Sequence, residues 1–320
     1  MIHKCGLLIR ESSSHTIFIC AFMPCDKKHS ITELGRDPYG LLPKGGKEMR
    51  NSKTNELVLT GLFTAIIIIM AFTPLGYIPL VVINATIIHI PVILGSLFCG
   101  PKKGAFLGFV FGFTSCLKAT IVGGTLSSFV FSPVLAASLV GTSGIFKSLF
   151  IAFVPRILVG VIPYFVYIGI KKMLASEKKN LWGTVLNVLM SAFLAFGVYA
   201  FLGKMAESLS QAATLGIGIA VGVVVFVVVE AVFIRKSTQV IPFVYAGVAG
   251  AMTNTLLVMG SIFVLYKDAY AEAIGVAGNA VLGVITGVIS FNGVIEAIVA
   301  AIIVYLVGLV LNTIKPIAAK

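Results

Sequence analysis

The stretch "VGVVVFVVVEAVFI" (residues 221–234) decides the fold class, because it is apolar whichever face is considered. A strand of a membrane β-barrel alternates apolar and polar residues, and a surface helix of a soluble protein carries a polar stripe. This stretch shows neither pattern, and it ends an apolar run from 211 to 234 that can cross the hydrocarbon core of a bilayer as a helix. The sequence therefore predicts a transmembrane helix here.

The composition extends this prediction to the rest of the chain. Of the 320 residues, 58% are hydrophobic and 11% are charged, and a soluble chain of this length needs far more charge to cover its surface. Apolar runs of about 20 residues predict eight helices, at 57–73, 83–99, 104–122, 148–170, 181–203, 211–234, 241–265 and 292–313. The segment between Tyr266 and Gly293 is predicted to be an apolar loop that can hold a re-entrant piece. We therefore expect an all-α polytopic membrane protein.

The basic residues predict the orientation of these helices, because Lys and Arg are retained on the cytoplasmic side. With both termini inside, twelve of them fall on that side, against four outside (Lys118, Lys147, Lys204 and Lys267). The net charge of +12 then reflects topology and contact with lipid headgroups. Basic and aromatic residues are not interleaved as on a nucleic-acid surface, so no nucleic-acid partner is expected.

Residues 1–48 have a different composition, with three of the five Cys and three of the four His. Their short apolar stretch lacks the features of a signal peptide. The sequence "KGGKEM" (44–49) can be encoded by a ribosome-binding site followed by a start codon, so we hypothesise that translation begins at Met49. The alternative is a disordered cytosolic tail. The membrane-embedded substrate-binding domain is then expected at 49–320.

Motifs for energy conversion and catalysis are missing from the membrane-embedded part. The chain has no phosphate-binding loop, no HExxH zinc motif and no GxSxG elbow. We therefore expect no enzyme activity, no cofactor and no metal site.

A small set of polar residues falls at a similar depth in the predicted bundle. Arg156 lies in the fourth predicted helix, and hydrogen-bonding residues lie toward the outer side of three others: Asn84, Thr86, His89, Asn254, Asn292 and Glu296. Ionisable groups in hydrocarbon cost several kcal/mol unless they are paired or face a wet cavity. Their convergence predicts a pocket. The segment 118–147, which contains Ser128, Phe129 and Phe131, is predicted to be a loop that folds over it as a lid.

Each of these residues also has a structural interpretation. Arg156 can form a salt bridge with Glu296, and His89 can bond a backbone carbonyl between helices. Asn254 can join helices, and Asn84 can cap the second helix. Glu230, near the cytoplasmic end of its helix, is predicted to extend its carboxylate to the interface.

Five blocks of the sequence resemble the substrate-binding S components of energy-coupling factor (ECF) vitamin transporters, and among them the pantothenate-type members. They are "ATIIHIPVILGSLFCGPKKGAFLGFVFG" (85–112), "SSFVFSPV" (127–134), "AFVPRILVG" (152–160), "AGAMTNTLLVMGSIF" (249–263) and "FNGVIEAIVAAIIV" (291–304). The resemblance implies a six-helix bundle in the bacterial cell membrane with cytosolic termini and a vitamin site near the outer face. It also implies a transmembrane coupling subunit and two cytosolic ATPase subunits as partners. The docking motif on the first helix would be Gly61 and Ala65.

The sequence departs from this family pattern by an extra hydrophobic hairpin at about 181–234. Both flanks of the hairpin are basic, which predicts that the chain enters and leaves it on the cytoplasmic side. Two inserted helices therefore leave the orientation of the neighbouring helices unchanged. We expect Arg156 to pair with a vitamin carboxylate, and His89, Asn254 and the lid residue Ser128 to bond its hydroxyl or amide groups. Pantothenate fits these groups best. The alternatives are riboflavin or another vitamin, a proton-coupled carrier that uses Glu296 or His89, and a membrane scaffold.

Overall fold

A computed structural model describes residues 52–79, 84–123, 128–205, 210–235, 241–314 and 317. The α-helices in this part of the chain are α1 (Ser52–Phe72), α2 (His89–Cys99), α3 (Pro101–Ile121), α4 (Pro133–Val140), α5 (Thr142–Val159), α6 (Ile162–Leu174), α7 (Lys179–Met205), α8 (Gln211–Arg235), α9 (Ile241–Ile274), α10 (Val281–Val288) and α11 (Val294–Ile314). A π-helical turn, Ile289–Gly293, joins α10 to α11, and 3₁₀ turns lie at Pro74–Gly76 and Ser128–Val130. The predicted leader, residues 1–48, lies outside the described residues.

Apolar helices account for all eight predicted membrane segments, and the all-α polytopic architecture is confirmed. Six helical stretches of the described chain have the length and composition to cross a membrane, and two shorter apolar helices lie at 56–72 and 89–99. The helix predicted at 148–170 is two helices, α5 and α6, that meet at Gly160 and Val161. The prediction of a long loop between Tyr266 and Gly293 is wrong, because α9 continues to Ile274 and α10 occupies much of the remaining segment.

A short antiparallel strand pair precedes α2. β1 (Tyr77–Pro79) pairs with β2 (Asn84–Thr86), so that Tyr77 lies opposite Thr86. The membrane segment predicted from residue 83 therefore becomes helical only at His89. Asn84 does not cap this helix, because the residue before its first turn is Ile88.

Glycine and proline set several of the helix boundaries. Gly100 separates α2 from α3 with a φ of +89°, which glycine adopts without strain, and Pro101 begins α3. Ser132 caps α4, since its hydroxyl accepts a hydrogen bond from the Leu135 amide at 3.3 Å. The predicted lid segment is thus largely helical rather than a loop, because α4 and the start of α5 lie within it.

Helices α3 and α5 approach each other so closely that only glycine fits at their contact. A Cβ atom built on Gly104 would lie 2.0 Å from the Gly160 carbonyl oxygen, and one on Gly108 would lie 2.2 Å from that of Arg156. Small residues on one face of a membrane helix permit such close packing. The backbone of α5 at Arg156 is therefore fixed directly against α3.

Helices α7 and α8 form the predicted hairpin, which is held together by small residues and a polar cluster. Gly218 and Gly222 of α8 pack against Ala195 of α7. The Glu230 carboxylate accepts hydrogen bonds from the Thr184 hydroxyl at 2.6 Å and from the Asn187 amide at 2.8 Å. The prediction that Glu230 extends to the membrane interface is wrong, because its oxygens are satisfied between the two helices.

Candidate functional site

Arg156 is positioned by the proline that precedes it. Pro155 has no backbone N–H, so the carbonyl of Ile151, four residues earlier, lacks its usual partner within α5. The Arg156 guanidinium Nη1 donates a hydrogen bond to this carbonyl oxygen. The Pro155–Arg156 pair therefore folds the cationic side chain back along its own helix and fixes it there.

Two aromatic rings flank the Arg156 guanidinium. Its central carbon lies 4.6 Å from the centre of the Phe131 ring and 5.6 Å from the centre of the Phe111 ring. Phe131 follows the 3₁₀ turn Ser128–Val130, and Phe111 belongs to α3. Aromatic faces attract cations, and such contacts are stronger where water is excluded. Arg156 itself is only 6% exposed, so the site presents a cation between aromatic walls.

Glu296, at the start of α11, is 6% exposed and is held by donors from two other segments. The Thr86 amide donates to its Oε1 at 2.8 Å, and the Thr255 hydroxyl of α9 donates to its Oε2 at 3.0 Å. Arg156 and Glu296 are within electrostatic range of each other. They do not form the salt bridge considered as an alternative, since the one salt bridge among the described residues joins Lys103 to Glu56.

Several buried polar atoms, in residues close along the chain to Glu296 or its donors, have no hydrogen-bond partner in the described part of the chain. They are both ring nitrogens of His89, Oδ1 of Asn254 and Oδ1 of Asn292. His89 lies three residues after Thr86, Asn254 directly precedes Thr255, and Asn292 lies in the π turn just before Glu296. The proposed alternative of a backbone bond for His89 is not what the described residues show. These groups therefore lie along the chain next to Glu296 or its donors, and each can take a further hydrogen bond.

The remaining predicted site residues are placed differently. Ser128 is buried in the 3₁₀ turn, beside Phe129 and three residues before Phe131. The backbone of Asn84 lies in β2, and its side chain is outside the described residues. The structure thus links Thr86 and Glu296 directly, and it relates Asn254, Asn292 and His89 to them through neighbouring residues.

Sequence reasoning missed Tyr266, which packs against Phe129, two residues before the Phe131 ring that flanks Arg156. Its hydroxyl donates to the Gly144 carbonyl at 2.7 Å, and its ring packs edge-on against Phe129 with the centres 5.4 Å apart. Tyr266 also interrupts the helical geometry of α9, with φ −132° and ψ 20°. An aromatic residue in an apolar helix gives no signal of such a role, because the partners come from distant parts of the chain.

A family model described as "ECF transporter, substrate-specific component" matches residues 55–235. The chain belongs to this family. Its role is therefore in transport rather than catalysis, as a multi-pass membrane protein that takes up a substrate together with an ECF module.

Two relatives of this S component carry similar names. The pantothenic acid transporter PanT of Lactococcus lactis subsp. cremoris is 42% identical over 161 residues, which are 47% of this chain and 78% of that protein. The pantothenate transporter PanT of Leuconostoc mesenteroides subsp. mesenteroides is 28% identical over 277 residues, which are 85% of this chain and 98% of that protein. The predicted resemblance is confirmed.

The predicted docking motif of the S component lies on an outward face of α1. Gly61 and Ala65 are exposed, and no atom lies within 4 Å of a Cβ built on Gly61. Leu57 and Ile69, which are four residues away on either side, are exposed as well. The buried face of the same helix carries Phe63 and other core residues. This small-residue face is thus open to a partner helix or to lipid.

Proposed function

We propose that this S component binds pantothenate through Arg156 and delivers it for uptake into a bacterial cell. The single observation that carries this proposal is the buried Arg156 guanidinium, fixed by Ile151 and flanked by Phe111 and Phe131. A guanidinium binds a carboxylate with two parallel, charge-assisted hydrogen bonds. The names of both relatives support pantothenate, which has a single carboxylate.

The polar groups around Glu296 suit the rest of this ligand. Pantothenate carries two hydroxyl groups and one amide, which together donate and accept hydrogen bonds. His89, Asn254 and Asn292 have atoms that can meet them. Thr86 lies three residues before His89, and Ser128 lies three residues before Phe131, which flanks Arg156. Glu296 already accepts two hydrogen bonds, so we assign it to organising Thr86 and Thr255 as well as to ligand contact. Asn84 completes the proposed set from the strand before α2.

The proposal places both termini in the cytoplasm and the vitamin site toward the outer side. The partners would be a transmembrane coupling subunit, which docks on Gly61 and Ala65, and two cytosolic ATPase subunits. Exposure of this face of α1 supports the docking role, because a small-residue face lets two helices approach closely.

The test is titration calorimetry of the purified protein in detergent with pantothenate and riboflavin. We expect pantothenate to bind and Arg156→Ala to weaken it by about 10- to 100-fold, the equivalent of a lost charge-assisted hydrogen bond. Lys172→Ala, which removes an exposed charge at the end of α6, is the matched control and should bind as the unmodified protein does. Binding of riboflavin instead, or an Arg156→Ala variant with unchanged affinity, would contradict the ligand or the carboxylate clamp respectively.

A transport assay separates this function from a proton-coupled carrier. Proteoliposomes that contain the S component alone should not accumulate pantothenate, whereas addition of a coupling subunit with its ATPases should allow ATP-dependent uptake. Uptake by the S component alone, driven by a pH gradient, would favour the carrier.

A further inference from the structure

The hairpin of α7 and α8 touches the part of the molecule that carries Asn292. The Phe201 ring of α7 stacks on the Phe291 ring with the centres 5.4 Å apart and the planes 4° from parallel. Gly197, one turn earlier on α7, lies against Val294, since a Cβ built on it would be 2.2 Å from a Val294 methyl carbon. Helix α7 therefore contacts the residues on both sides of Asn292.

These contacts fall on a π turn, which is an unusual piece of backbone. The turn Ile289–Gly293 contains an additional residue relative to an α-helix, so it rotates the side chains that follow it relative to those before it. Glu296 begins the next helical turn, where it meets Thr86 and Thr255. If the turn relaxed to an ordinary α-helix, Glu296 and Asn292 would point in other directions.

Contacts on the other side of the π turn complete its support. A Cβ built on Gly293 would lie 3.0 Å from the Thr255 methyl carbon, so α9 packs directly against the turn. The Phe291 side chain is 4% exposed and is covered on the α7 side by Phe201. Helix α7 is itself joined to the bundle by Tyr245 of α9, whose hydroxyl donates to the Leu186 carbonyl. The turn is thus clamped between α9 and α7.

We propose that the hairpin of α7 and α8 is a positioning element of the substrate site, and that Phe201 and Gly197 hold the π turn that presents Asn292 to the ligand. This inference rests on the proposed pantothenate site. It assigns a role in ligand binding to the hairpin, for which the sequence indicated no function. Phe201 and Gly197 act through Asn292 and Glu296 and do not touch the ligand.

The first experiment compares Phe201→Ala with Phe196→Ala by calorimetry with pantothenate. Both remove a phenylalanine from α7 that is partly exposed, 40% for Phe201 and 48% for Phe196. We expect Phe201→Ala to weaken binding about two- to tenfold, the range that an aromatic pair contributes, and Phe196→Ala to bind normally. Phe201→Trp should restore the affinity because it keeps a stacking ring. Equal affinities for Phe201→Ala and Phe196→Ala would overturn the proposal.

A double-mutant cycle distinguishes positioning from a general loss of stability. If Phe201 acts partly through Asn292, then Phe201→Ala should weaken binding less in an Asn292→Ala background than in the unmodified protein. Fully additive effects of the two substitutions would show that Phe201 does not act through Asn292. If Phe201→Ala yields too little folded protein, Phe201→Leu takes its place in the cycle, since it keeps apolar volume and removes the stacking.

A measurement without ligand keeps this inference separate from the proposed function. In a variant with its native cysteines replaced by serine, Asn292→Cys reports the exposure of that position through its labelling rate with a polar maleimide in detergent. We expect Phe201→Ala to change this rate several-fold and Phe196→Ala to leave it unchanged. If the unmodified protein fails to bind pantothenate but the labelling rate changes, the ligand assignment fails and the positioning role stands. An unchanged rate refutes the positioning role whichever vitamin binds.

Discussion

Substitution of Gly108 by alanine tests how closely the site depends on the packing of α3 against α5. The added methyl carbon would lie 2.2 Å from the Arg156 carbonyl oxygen. Carbon and carbonyl oxygen atoms pack at about 3.3 Å or more, so the two helices have to separate by roughly 1 Å. Overpacking of this kind costs about 1–3 kcal/mol of stability. It also moves the backbone that carries the guanidinium, so we expect pantothenate binding to weaken about tenfold or more.

Two further glycines provide graded controls for this substitution. Gly169 of α6 is exposed, and no atom lies within 4 Å of a Cβ built on it, so Gly169→Ala should be neutral or stabilising by up to about 1 kcal/mol. Gly112 lies one turn beyond Gly108, and its Cβ would be 2.6 Å from the Ala152 carbonyl oxygen. Gly112→Ala should therefore lower stability with a smaller effect on binding, since Ala152 is a turn away from Arg156.

The assay combines thermal unfolding in detergent with calorimetric titration of each variant. The order of stability should be Gly169→Ala, then Gly112→Ala, then Gly108→Ala, and the largest loss of affinity should occur in Gly108→Ala. If Gly108→Ala melts and binds like Gly169→Ala, α3 and α5 are not in direct backbone contact at Arg156, and the account of how this residue is fixed is wrong.

Three other substitutions test separate parts of the molecule. Glu296→Ala removes both acceptor oxygens and leaves the Thr86 amide and the Thr255 hydroxyl without their common partner, so thermal unfolding should show a loss of about 1–3 kcal/mol; an unchanged melting temperature would contradict the network. Gly61→Trp should leave pantothenate affinity unchanged but prevent co-purification with a coupling subunit, and retained assembly would exclude this face of α1 as the docking surface. Thr184→Val removes the hydroxyl donor to Glu230 and should lower stability by about 0.6–2 kcal/mol without changing affinity, whereas altered affinity would show that the cluster in the hairpin reaches the site.

The sequence predicts the membrane helices well because a single strong property defines them. An apolar run of about 20 residues is helical in a bilayer whatever its neighbours are, and all eight predicted segments contain helices. The errors fall at the boundaries of these helices. The run 148–170 does carry a local signal for the break at Gly160 and Val161, because Gly160 follows α5 and Pro163 lies in the first turn of α6. The close contact of Gly160 with Gly104, by contrast, is not visible in the sequence. The π turn before α11 also contacts residues that are distant along the chain, Phe201 and Thr255.

For the candidate site, the sequence identifies the charged residues but not the contacts that they make. Arg156 and Glu296 are recognisable from sequence, because a charged group in hydrocarbon costs free energy and is retained mainly where it has a function. The partner of Glu296 is not recognisable, since one of its two donors is the backbone amide of Thr86, 210 residues away along the chain. The link between Pro155 and Arg156 could have been read in advance, because proline always leaves the carbonyl four residues earlier without its helical partner.

The buried polar groups without hydrogen-bond partners would make the proposed site selective. Buried polar atoms without hydrogen bonds cost about 1–3 kcal/mol each, and His89, Asn254 and Asn292 carry such atoms within the described residues. A ligand that bonds them recovers this free energy on binding, whereas an apolar molecule of the same size cannot. Rejection of an analogue that lacks a single hydroxyl or amide is therefore stronger than rejection of one that lacks a methylene group. Affinity for pantothenate analogues should accordingly follow the number of hydrogen-bonding groups they retain more closely than their apolar surface.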